Sequence, residues 1–87
     1  MPHPRFTNEE IARMGEEIYA SRLRGQLEKE YKGQVVIIDI ESGEYEIGPD
    51  SLAANTRALA KSPGAALYGI RVGNDVVERF AGSSLRL

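Results

Sequence analysis

The stretch Tyr31–Gly48, YKGQVVIIDIESGEYEIG, constrains the fold more than any other part of the chain. Its β-branched run reads as a strand over Gln34–Ile40, and Glu44–Ile47 reads as a second strand. Ser42-Gly43 reads as a two-residue turn between them, with Gly43 free to take positive φ. In that register Glu41 faces Glu44, Ile40 faces Tyr45, Asp39 faces Glu46 and Ile38 faces Ile47. Alternation of period two then gives one apolar face of Val36, Ile38, Ile40, Tyr45 and Ile47. The other face carries Asp39, Glu41, Glu44 and Glu46, with Val35 and Ile37 further back.

Upstream lies a long helix. Thr7-Asn8-Glu9-Glu10 fits a capping box, with acidic residues at the positive end of the helix dipole. The pattern runs to about Tyr31, and Gly33 is a plausible stop. Its apolar residues fall on two faces. Ile11, Met14 and Ile18 share one; Ala12, Tyr19, Leu23, Leu27 and Tyr31 share another. One face can pack on the chain's own sheet, and the second needs another cover. Two arrangements supply it: a break near Gly25 that makes two shorter helices, or a partner helix, most simply the same helix of a second copy.

Downstream, Gly48-Pro49-Asp50-Ser51 ends the hairpin and starts a helix over Leu52–Lys61, with Asp50 or Ser51 as its cap. Ser62-Pro63-Gly64 stops it. Ala65–Val72 reads as a third strand, Gly73-Asn74-Asp75 as a turn and Val76–Ala81 as a fourth strand. The expected fold is α+β: a two-layer sandwich in the order α-β-β-α-β-β. Its four-stranded, mainly antiparallel sheet has the order 2-1-3-4, with two helices on one face. Residues 1–6 read as a flexible leader, 7–82 as the single domain and 83–87 as a frayed tail.

The chemistry-bearing residues are few. The chain has one histidine, His3 in the leader, and no cysteine. That removes thiolate metal sites and a cysteine nucleophile. No phosphate-binding glycine loop and no serine elbow is present. The chain is expected to have no enzymatic activity, no cofactor and no metal. A formal net charge of −2 supplies no field for nucleic acid or an anionic membrane. No run approaches the ~20 apolar residues of a membrane span. A cytoplasmic location is the default expectation. The acids Asp39, Glu41, Glu44 and Glu46 form a local negative patch. It either keeps an exposed edge from aggregating or receives a basic partner. Arg71 or Arg79 could reach Asp39 or Glu46 across the sheet.

The segments Tyr31-Lys32-Gly33-Gln34-Val35-Val36, Ile47-Gly48 and Ile70-Arg71-Val72 resemble a family of short prokaryotic α+β domains without an established activity. The likeness covers about half the chain. It implies an antitoxin-like or accessory protein that works with a partner. The expected function is therefore a protein–protein interaction module, homodimeric through the N-terminal helix. Its candidate interaction residues are Ile11, Met14, Ile18, Asp39, Glu41, Glu44 and Glu46. A small nucleic-acid-binding regulator is the alternative, and a ligand-binding domain a third.

Overall fold

The computed structural model describes residues 5–73 and the backbone of 79–82. The start of the leader, residues 74–78 and the tail 83–87 lie outside the described residues. The elements are α1 (Asn8–Ile18), a π-helical turn (Tyr19–Leu23), α2 (Arg24–Glu30), β1 (Val35–Asp39), β2 (Tyr45–Gly48), α3 (Ser51–Lys61), β3 (Leu67–Arg71) and β4 (Arg79–Gly82).

The capping box is present. The Thr7 hydroxyl accepts the Glu10 N–H at 3.1 Å, and the Glu10 carboxylate accepts the Thr7 N–H at 2.8 Å. These bonds to Thr7 hold the Glu10 carboxyl below the usual carboxylate range. From there the chain is helical without interruption to Glu30. At 1.5 Å per residue this is a rod of roughly 34 Å, matching the 34 Å longest extent of the molecule.

There is no break at Gly25. The irregularity lies earlier, where the Arg24 N–H donates to the Tyr19 carbonyl five residues back. A π turn inserts extra backbone and lags the helix phase. An ideal helix advances about 40° every four residues, at 3.6 residues per turn. A stripe spaced by fours therefore drifts off any flat surface, and the wider turn brings it back. Ile11, Gly15, Tyr19, Leu23 and Leu27 are all buried, along one seam. The Ser21 hydroxyl donates to the Glu17 carbonyl at 2.7 Å, beside the wide turn. One buried seam that includes Ile11 replaces the two apolar faces, without a break in the helix.

β1 pairs antiparallel with both β2 and β3. β4 runs antiparallel along the outer side of β3, completing the order β2-β1-β3-β4. Side-chain parity sorts the core into two clusters. Val36, Ile38, Ile40, Tyr68 and Ile70 pack with Ile11, Tyr19, Leu23 and Leu27 of the N-terminal helix. Val35, Ile37, Ala65 and Leu67 pack with Ala54 and Ala58 of α3.

The helices thus lie on opposite faces of the sheet. The expected two-layer sandwich, one four-stranded sheet carrying both helices on a single face, is overturned. The molecule has three layers, and the sheet whose side-chain packing defines them is the three-stranded β2-β1-β3. The physical reason is in β1. Val35-Val36-Ile37-Ile38 is apolar on both sides, and all four residues are at most 1 % exposed. A strand apolar on both faces needs two covers.

The hairpin register also differs from the expected one. Ile38 faces Tyr45 and Val36 faces Ile47, a slip of two residues. The cause is Asp39. Its carboxylate accepts the Glu41 N–H at 2.9 Å and the Ser42 N–H at 3.4 Å, and its carbonyl accepts the Gly43 N–H at 2.8 Å. This side-chain turn builds a four-residue loop over 40–43 instead of a two-residue one. A slip of two preserves parity, so Tyr45 and Ile47 stay on the apolar face. Gly43 has φ 80°, as its place in the turn requires.

Tyr19 is 2 % exposed. Its hydroxyl lies buried near the Gly73 backbone with no well-formed hydrogen bond among the described residues. Burial pushes its phenol above the ordinary value. A raised folded-state pKa means the contribution is intact below the unfolded-state pKa and is lost as pH rises through the folded one. Tyr19→Phe is expected to leave stability at neutral pH within about 1 kcal/mol of the parent. It should also move the alkaline unfolding midpoint upward. Denaturant titrations at pH values on either side of 10 check this, and an unchanged alkaline midpoint contradicts it.

Candidate functional site

The seven candidate residues do not form one surface. Ile11 is 0 % exposed, inside the chain's own core. Met14 and Ile18 are half-buried at the margin of the same cluster. They look across to the hairpin loop. Between the helix residues Met14, Glu17, Ile18, Ser21 and Arg22 and the loop residues Ile40, Glu41, Ser42 and Gly43 runs an open groove of about 350 Å³. Its floor is apolar at Met14, Ile18 and Ile40, and its walls carry Glu17, Arg22 and Glu41. The Arg22 guanidinium lies against Gly43, where a β-carbon would sit 2.8 Å from it.

The acids are separated by role. Asp39 is spent on the turn. Glu41 pairs with Arg5, holding the chain before the helix against the hairpin. Glu46 points to the α3 face, where Arg57 lies at 3.4 Å and Lys61 at 2.6 Å. Its hydrogen bond from Lys61 raises that amine's pKa. Arg71 instead donates to the Gly33 carbonyl at 2.8 Å, while the side chain of Arg79 lies outside the described residues. The cations that meet Glu46 therefore come from α3. Sequence reasoning placed α3 on the wrong face and so missed them.

Glu44 remains exposed, its N–H donating to the Ser42 hydroxyl at 3.1 Å. Beneath the C-terminal end of α3 there is space of only about 10 Å³, enough for one water. Among the described residues no three His, Asp or Glu side chains converge as a metal site. No described helix is long and apolar enough to cross a membrane.

Of the groove residues, sequence reasoning singled out Met14, Ile18 and Glu41 as interaction residues but not Glu17, Ser21, Arg22, Ile40, Ser42 or Gly43. The strand pattern put Ile40 on the apolar face, but only the four-residue loop brings it to the groove. Comparison with family models, with curated proteins and with solved structures finds no match to this chain.

Proposed function

We propose that the chain is a non-enzymatic protein–protein interaction module whose docking surface is the groove at Met14 and Ile18. The observation that supports this is the groove itself: half-buried Met14 and Ile18 beside a buried Ile40, rimmed by charges of both signs. An apolar floor inside a polar rim is the anatomy of a protein interface. The matching partner offers one or two apolar side chains from a helix or turn, flanked by residues that answer Arg22 and Glu41.

The homodimer expected from the N-terminal helix is the second reading. Ile11 cannot contribute to it, so it rests on Met14 and Ile18 of two copies meeting. The acidic hairpin lends little to an antitoxin-like role against a basic partner, because Glu41 and Glu46 already hold cations. The accessory role implied by the Tyr31–Val72 resemblance makes the product of the neighbouring gene the first partner to try.

The test is calorimetric titration of that product against the parent chain and against a Met14→Glu/Ile18→Glu variant, with sedimentation of each chain alone. Two apolar anchors lost at the centre of an interface weaken binding by roughly a hundredfold, and the half-buried positions let the variant keep its fold. A variant that binds and sediments as the parent does removes the groove from the function.

A further inference from the structure

We infer that Arg57 is a latch on the outer edge of β2, and that the occupant the latch holds off is β2 of a second copy of this chain. This surface is separate from the Met14 groove.

The backbone phase sets the edge. The Asp39 N–H donates to the Glu44 carbonyl at 2.9 Å, so Asp39 and Glu44 form a hydrogen-bonded pair. On the other side of β1 the Ile40 N–H donates to the Ala66 carbonyl at 3.1 Å, in the opposite phase. Alternation along an antiparallel ladder then makes Ile37–Glu46 a bonded pair and leaves Tyr45 and Ile47 with their backbone groups directed outward. β2 lies at the end of the sheet order, so among the described residues no strand meets them.

One of those groups is covered. The Arg57 guanidinium donates to the Ile47 carbonyl. The same guanidinium nitrogen lies over Gly48, 3.2 Å from where a β-carbon there would stand. Glu46 holds it there from the strand side. Pro49, with no N–H, follows the strand and limits the edge to a short segment.

The edge is self-complementary. In an antiparallel pairing centred on Glu46, Tyr45 of one copy faces Ile47 of the other, and each such pair exchanges both backbone hydrogen bonds. Every outward group of Tyr45 and Ile47 is then satisfied, and aromatic and β-branched side chains meet across the junction. Glu46 faces Glu46 of the second copy, which alone is unfavourable. Each carries Lys61 at 2.6 Å, so the junction is balanced in charge once Arg57 has left. Pairing requires both Arg57 side chains to give up their carbonyls, and this keeps the parent chain from closing on itself. The device belongs with the charged guards that blunt exposed sheet edges.

The experiment compares the parent, Arg57→Ala and Lys61→Ala by sedimentation across a concentration series, with amide hydrogen exchange at high and low concentration. Arg57 is 51 % exposed on α3, and alanine favours the helix, so the variant folds. The expected result is dimerisation of Arg57→Ala at a concentration at least tenfold below any association of the parent. The Tyr45 and Ile47 amides should exchange at least tenfold more slowly in that dimer. Lys61→Ala, which strips a cation from Glu46 but leaves the Ile47 carbonyl covered, should behave as the parent. The inference is overturned by an Arg57→Ala variant that matches the parent at every concentration, or by equal association of Lys61→Ala. A dimer in which Tyr45 and Ile47 stay unprotected also overturns it, and leaves the groove reading untouched.

Discussion

Gly15→Ala is expected to destabilise the protein by about 3 kcal/mol, at the upper end of overpacking costs. On an exposed helix the same change would stabilise by about 1 kcal/mol, because alanine is the better helix former. The sign reverses because Gly15 lies in the buried seam. A β-carbon there would stand 2.3 Å from Cγ of Tyr68 and 2.5 Å from Cδ2. Tyr68 is itself 0 % exposed, with its hydroxyl donating to Glu16 at 3.1 Å, so the ring has nowhere to retreat. The helix must lift from the sheet. Gly25 provides the control. It sits in the same rod with nothing within 4 Å of the added carbon, and Gly25→Ala should stabilise by about 0.5–1 kcal/mol. Urea titrations of the two variants decide the matter. Equal effects, or a stabilising Gly15→Ala, would mean that the helix does not pack on Tyr68.

Ile37→Ala and Ile38→Ala are expected to cost about the same, roughly 3 kcal/mol each, within the usual range for truncating a buried Ile. Both are 0 % exposed, but to different partners. Ile38 belongs to the cluster under the N-terminal helix, Ile37 to the cluster under α3. In a two-layer arrangement Ile37 would face solvent beside Glu46, and its truncation would cost under ~0.5 kcal/mol. A large difference between the two midpoints would therefore contradict the three-layer account. Either loss is a sizeable fraction of the total stability of a domain this small, on the order of 5–10 kcal/mol.

The parity of the hairpin was legible from the residues, since apolar residues alternate with acids in Asp39–Ile47, and parity survives a slip of two. The register was not legible, because it depends on whether the Asp39 carboxylate closes a longer loop. The sidedness of the helices was half-legible. Val35 and Ile37 stood in plain sight as apolar residues on the acidic side, but the four acids outweighed them. Asp39, Glu44 and Glu46 do keep to that face beside Ile37, but Asp39 is tied into the turn and Glu46 is neutralised by α3.

The N-terminal helix was misread for a related reason. Glycine carries no apolar weight, so Gly15 dropped out of the stripe that joins Ile11 to Tyr19. Without it the residues split into two faces, and the second face calls for a cover, from a break near Gly25 or from a partner helix. A π turn has no strong local signature; Ser21 bonding back to Glu17 is the one trace it leaves. The groove at Met14 was illegible because it needs the helix phase and the loop length together.

The most direct measurement is a methyl and aromatic NOE map. The three-layer account predicts contacts from the Ala54 and Ala58 methyls to Ile37 and Leu67, and from Gly15 to the Tyr68 ring. It predicts none from Ala54 or Ala58 to Ile38 or Ile70. NOEs from Ala54 or Ala58 to Ile38, Tyr68 or Ile70 would put both helices on one face and contradict it.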